Sequence, residues 1–261
     1  MKGIIGAICG DIIGSTREFN PIKTKDFELI PKYSAFTDDT VLTLSVASWL
    51  LNDNTYSKEV LVNEIKDLCS QYKVGYGGRF RSWIISDKTK AYNSWGNGSA
   101  MRVSPTAWVA DSLEEAEKLA KISAEVTHNH PEGIKGAVST AASIYLARCG
   151  KSKEYIKNYV EENFSYNLSR KLNDIRPDYP FEVSCQKSVP EAIICFLESD
   201  SYEDTVRNAI SLGGDADTQA AIGGSIASAF YDVPKSIYLD CLSKLDEQLT
   251  SILNDFNDRY I

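Results

Sequence analysis

Phe36-Thr37-Asp38-Asp39-Thr40-Val41-Leu42-Thr43-Leu44-Ser45-Val46-Ala47-Ser48-Trp49-Leu50-Leu51 is the stretch that decides how this chain is read. From Thr40 to Leu51 it is apolar nearly all round, which predicts a helix buried on every side. Its entrance has the opposite character, with two carboxylates flanked by two threonine hydroxyls. A helix N-terminus favours an acid and needs one capping side chain, yet four polar groups crowd this one. A second cluster of the same chemistry, Gly213-Gly214-Asp215-Ala216-Asp217-Thr218, opens a small-residue helix predicted over 216–231. Its two glycines allow close backbone approach or positive φ. Helix capping would explain either cluster alone. Four carboxylates brought together would repel one another unless cations lay between them. Oxygen-only ligands suit Mg²⁺, Mn²⁺ or Ca²⁺ and not Zn²⁺.

Working outward, helical periodicity predicts further helices over 3–14, 57–72, 98–110, 112–126, 131–149, 152–163, 189–199, 201–212 and 237–255. Start signals include Pro131 at a first helical position, Ser188 with Glu191 as a capping box, and Asp111 or Ser112 before an acidic first turn. Gly14 reads as a C-cap for the first helix. Period-2 strand patterns are absent, and 164–187 reads as a long surface connection or a short helix plus loop. No linker, composition shift or repeat divides the chain. The expectation is an all-α, single compact multi-helix domain over 1–261, with a dinuclear metal cleft between the two acid clusters.

Bulk properties narrow the functional classes. Of 261 residues, 43% are hydrophobic and 25% charged, which is ordinary for a globular protein. A net charge of −8 argues against non-specific nucleic-acid binding and against anionic membrane surfaces. The six cysteines (Cys9, Cys69, Cys149, Cys185, Cys195, Cys241) show no C-x-x-C pair or metal-ligand spacing. They read as reduced thiols, and Asp11 interrupts the only stretch resembling a signal h-region, so a cytoplasmic, monomeric protein is expected. No apolar run approaches the roughly 20 residues of a membrane span.

Other motifs are individually weaker. Gly10-Asp11-Ile12-Ile13-Gly14-Ser15-Thr16-Arg17-Glu18 sets acids at and beyond the end of a buried helix, where Glu18 could equally be a solvated loop charge. Val74-Gly75-Tyr76-Gly77-Gly78-Arg79 and Ser94-Trp95-Gly96-Asn97-Gly98-Ser99-Ala100-Met101-Arg102 are glycine-rich stretches that could offer backbone N–H groups to a phosphate. Thr127-His128-Asn129-His130-Pro131 holds both histidines. The Asp-x-Asp-Thr string also resembles the haloacid-dehalogenase phosphatases, but those need a β-strand where Val206 to Ile210 reads as helix.

In this order the pieces resemble the ADP-ribosylglycohydrolase family, from about residue 3 to about residue 240. The strings are GDIIGSTRE (10–18), FTDDT (36–40), GYGG (75–78), GNGSAMR (96–102), THNHP (127–131) and LGGDADT (212–218). The resemblance implies an all-α domain with two Mg²⁺ (or Mn²⁺) held by Thr37, Asp38, Asp39, Asp215, Asp217 and Thr218. It implies Glu18, with Asp38 and Asp39, as catalytic acids. Gly77, Gly78, Ser94, Gly96 and Asn97 would hold a diphosphate, Trp95 would sit beside an adenine, and His128 would contact the ligand.

The implied reaction is Mg-dependent hydrolysis of the bond joining ADP-ribose to an acceptor side chain or related group. An acidic protein must then hold an anion by backbone donors, helix N-termini and Arg79 or Arg102. Hard cations suit the ribose diol. Water attacking an oxocarbenium-like centre needs a proton acceptor. Two alternatives stay open: a non-catalytic, crystallin-like ADP-ribose-binding protein, and a two-metal hydrolase of the pyrophosphate itself.

Overall fold

The computed structural model describes residues 1–87 and 89–261. Its architecture turns on α1 (Ile5–Gly14), a helix with three glycines along one face. Gly6, Gly10 and Gly14 recur every four residues, so they stack in one row. That row lies directly on α13 (Ala216–Phe230). A Cβ at Gly6 would come within 2.2 Å of the Ser228 side chain, and one at Gly10 within 2.1 Å of the Ala220 carbonyl oxygen. At Gly14 the nearest atom would be the Asp217 Cα at 2.5 Å. Gly14 is therefore a contact residue inside the helix rather than its C-cap; Ser15 follows in right-handed geometry. The seam is hydrogen-bonded as well as packed, with the Tyr202 hydroxyl donating to the Gly6 carbonyl at 2.8 Å.

Around this pair the remaining helices close an all-α domain. α2 (Asp38–Asn52) and α12 (Tyr202–Ser211) flank α1, while α8 (Pro131–Arg148) and α11 (Cys185–Leu197) cover the other sides of α13. The outer elements are α3 (Lys58–Gln71), α4 (Gly78–Ile84), α7 (Leu113–Glu125), α9 (Lys153–Phe164), α14 (Lys235–Leu242) and α15 (Glu247–Tyr260). Short helices α5 (Gly98–Met101), α6 (Ser104–Val109) and α10 (Leu172–Ile175) complete the set. No named strand occurs among the described residues, which hold one isolated bridge, Gly96 to Ser184. Nor is any described helix long and apolar enough to cross a membrane. Cys9, Cys69, Cys185, Cys195 and Cys241 are buried free thiols, whereas Cys149 is exposed.

Several expected boundaries shift for local reasons. The helix predicted over 98–110 is broken into α5 and α6, with Pro105 seated in the first turn of α6, where its missing N–H is harmless. That over 237–255 is interrupted at Ser243–Asp246, where Asp246 caps α15 by accepting from the Leu249 N–H at 2.9 Å. The capping box at Ser188 and Glu191 does not form, because α11 starts at Cys185 and runs through Pro190. Ser188 instead donates to the Glu182 carbonyl, and Glu191 pairs with Arg170 at 2.6 Å. Pro131 does open α8, and Ser112 caps α7 by accepting from the Glu115 N–H.

Candidate active site

The glycine seam places the C-terminal half of α1 beside the N-terminus of α13, and α2 begins against the same spot. Asp11, fully buried on α1, accepts from the Thr37 N–H at 2.9 Å, the Thr37 hydroxyl at 2.7 Å and the Thr40 N–H at 3.1 Å. It also accepts from the Thr40 hydroxyl. Four donors on one carboxylate, aimed at a helix N-terminus, make Asp11 the anchor of the acidic turn. The sequence alone gives Asp11 no role beyond an acid near the end of a buried helix that interrupts an apolar segment. That interruption was the signal, since an acid amid buried isoleucines needs partners.

Thr37 is the N-cap of α2, its hydroxyl turned to Asp11 and accepting from the Asp39 N–H at 3.3 Å. Asp38 and Asp39 occupy the first helical turn. Opposite them, Asp215 and Asp217 stand at the start of α13, and the Thr218 hydroxyl donates to Asp39 Oδ2 at 3.2 Å across the gap. Asp11, Asp39 and Asp217 bring carboxylate oxygens within 4.8 Å of one another, and so do Glu18, Asp215 and Asp217. Asp217 belongs to both groups. The two clusters read from the sequence therefore meet, and Glu18 joins them.

Electrostatics follow from that crowding. Burial and then the charges of Asp217 and Asp11 push Glu18 up to about 7 and Asp38 up to about 8. Asp215 is pushed up to about 6, mainly by burial, against the pull of its bond from Asn97. Asp11, Asp39 and Asp217 are likewise raised, burial being the largest cause for each. Charged, these groups need cations; Asp39 Oδ1 is buried and has no hydrogen-bond partner. An all-oxygen set with an orphaned carboxylate oxygen fits hard divalent ions.

Glu18, Asp38, Asp39, Asp215 and Asp217, though not Asp11, line a cleft of ≈ 360 Å³. The same cleft is lined by Gly75, Gly77, Gly78 and Arg79, by Tyr92, Ser94, Gly96, Asn97 and Gly98, and by Arg102, His128 and Val183. A Cβ on Gly77 or Gly78 would meet nothing within 4 Å, so their backbone faces open space that a ligand can enter. Asn97 is differently employed than expected of a diphosphate contact. Its Nδ2 donates to Asp215 Oδ2 at 2.7 Å, bracing a carboxylate. Ser94 Oγ accepts from the Gly96 N–H at 3.2 Å and shapes the loop.

Trp95 is not on the cleft wall. Its exposed ring lies edge-on to His130, with centroids 5.9 Å apart. The aromatic that does line the cleft is Tyr92, packed beside His128 and under the Arg79 guanidinium, 5.1 Å from its centroid. No spacing rule marks Tyr92, because its placement depends on the 92–94 backbone reaching the Thr127 carbonyl.

The ADP-ribosylglycohydrolase family model matches residues 1–260, and the chain belongs to that family. ADP-ribosylhydrolase ARH3 of Bos taurus is 26% identical over 317 residues, covering 91% of this chain and 87% of the relative. The Homo sapiens ARH3 is also 26% identical, over 79% of this chain and 74% of its own length. The ADP-ribosylarginine hydrolase Tri1 of Pseudomonas putida is 24% identical, over 88% and 70% respectively. A solved structure described as an ADP-ribosylglycohydrolase-related protein complex shares the fold, with a TM-score of 0.76 at 20% identity over 99% of this chain and 96% of that one. Family membership makes this chain an enzyme of the glycohydrolase class.

Proposed function

We propose that the protein removes ADP-ribose from a modified acceptor by hydrolysing the glycosidic bond at the distal ribose, with two divalent cations, Mg²⁺ or Mn²⁺, in the acid cluster. The observation that carries this reading is the sharing of Asp217 between two carboxylate groups, in a cleft that glycine backbone and the buried Arg102 also line. Asp39, Asp215 and Asp217 would be the principal ligands, with Asp38 and Thr218 beside them and Thr37 holding the turn. When bound, hard divalent ions supply positive charge that draws ribose hydroxyls into the site and makes nearby water more acidic.

The rest falls to the chain's own residues. Thr37 and Asp11 fix Asp38 and Asp39 at the start of α2, and Asn97 fixes Asp215. Glu18 lines the cleft within 4.8 Å of Asp215 and Asp217, so its carboxylate can accept a proton from attacking water and return one to the leaving group. The opposite wall holds an anion: the open backbone of Gly77 and Gly78, Arg79 at the rim and His128 in the depth. That separation suits a ligand with a neutral diol at one end and a diphosphate at the other.

The test is ADP-ribose release from serine-, arginine- and nucleic-acid-linked substrates, with and without Mg²⁺. Free ADP-ribose, formed only with the cation, is expected. AMP released with phosphoribose left on the acceptor would instead identify a pyrophosphate hydrolase. Glu18→Gln should lower kcat about 10²-fold or more while changing KM little; equal effects on both would reduce Glu18 to a positioning role.

A further inference from the structure

Arg102, the residue that follows α5, is fully buried at the cleft lining, and no carboxylate pairs with it among the described residues. Its Nη2 donates twice, to the Ser123 carbonyl at 2.8 Å and to Thr127 Oγ1 at 2.8 Å. Nε and Nη1 have no partner. A guanidinium can only donate, so Thr127 Oγ1 is the acceptor in that bond. The same hydroxyl lies 2.7 Å from His128 Nδ1, and Thr127 is itself fully buried. The hydroxyl proton has one acceptor within reach, the Nδ1 lone pair. If Nδ1 carried a proton instead, that hydroxyl proton would be buried unbonded, at a cost such groups rarely bear.

We propose that Arg102 and Thr127 form a relay that locks His128 as the Nε2–H tautomer, so that the ring presents one fixed donor to an anionic oxygen of the ligand. Nε2 is the edge that faces the glycine loop. A Cβ at Gly98 would lie 3.2 Å from it and a Cβ at Gly96 3.6 Å, in the stretch that lines the cleft. Burial, followed by the charges of Arg102 and Arg79, keeps the ring neutral, so its donor is single and directed. Arg102 and Thr127 are positioning residues, acting through His128. The unpaired charge behind the ring adds attraction for an anion, which in the proposed function is the diphosphate; this clause rests on that reading.

The chain has two histidines, so ¹⁵N-histidine labelling gives two ring patterns, and His130→Asn assigns them. Long-range ¹H–¹⁵N spectra of the full-length protein are expected to show His128 protonated at Nε2 and bare at Nδ1. Thr127→Val should abolish that preference and weaken ADP-ribose binding, measured by calorimetry, about tenfold. Thr127→Ser should restore both. Protonated Nδ1 in the unmodified protein would overturn the relay, as would equal ADP-ribose binding by the Val and Ser variants. Absence of any ADP-ribose binding alongside an Nε2–H ring would instead refute the proposed ligand and leave the tautomer lock standing. Since the tautomer is read in the unmodified protein, misfolding of a variant cannot hide the answer.

Discussion

The two walls of the cleft are built in opposite ways. The acid wall is set by helices: α1 and α13 touch backbone to backbone through Gly6, Gly10 and Gly14, and α2 starts on Asp11. The ligand wall is made of the loop over 75–77 running into the start of α4 and the loop over 92–97 running into α5, where added Cβ atoms at Gly75, Gly77 and Gly78 would meet nothing. One set of glycines excludes all other atoms, while the other leaves room for a ligand. Glycine thus serves packing on one side and access on the other. The charges differ likewise, with mutually repelling carboxylates facing a buried arginine and a neutral histidine.

The contrast can be broken most severely at Asp217. Asp217→Asn should lower hydrolysis about 10³-fold, the scale of losing several kcal/mol of charge stabilisation in the transition state. With chelator present the same variant should melt at a higher temperature than the parent, because a carboxylate disfavoured first by burial and then by the charges of Asp215 and Asp11 has been replaced by a neutral group. A lower melting point would show that Asp217 is structural first.

Breaking the seam comes next. Gly10→Val forces a side chain into the Ala220 backbone, at a cost of about 3 kcal/mol, or about 10 °C in Tm by calorimetry. Gly77→Ala, on the ligand wall, should leave Tm unchanged or slightly raised yet weaken ADP-ribose binding.

pH sharpens the charge comparison. Asp38, Asp215 and Glu18 have folded-state values of about 8, 6 and 7, above ordinary values of 3.8, 3.8 and 4.5. Each binds its proton more tightly when folded, so the stability it contributes is complete below pH 4 and is lost as pH rises through those values. With chelator, Tm should therefore fall between pH 5 and pH 8. Mg²⁺ should flatten that slope, and a slope of the same size with and without the cation would contradict an ion among these acids.

Much of this was legible in the sequence, for physical reasons. Buried helices such as Thr40 to Leu51 announce themselves by unbroken apolarity, and acids at their entrances stand out against it. Asp11 escaped as a working residue because its four donors come from α2, twenty-six and more positions away. Trp95 carried a plausible role by its place in a glycine-rich loop, but that loop turns the ring outward to His130 while Tyr92 takes the wall. The Arg102–Thr127–His128 chain was invisible for the same reason: it exists only once α5 is packed on the α7–α8 connection. Ser188 and Glu191 show a cap signal overruled by Glu182, whose carboxylate accepts from the Val183 and Ser184 N–H groups ahead of α11.

The most direct measurement is product analysis on an ADP-ribosylated substrate panel with Mg²⁺ and with chelator. Free ADP-ribose released with Mg²⁺ and suppressed by chelator is the predicted result. Release unaffected by chelator, or AMP released with phosphoribose left on the acceptor, would contradict a cation-dependent glycohydrolase.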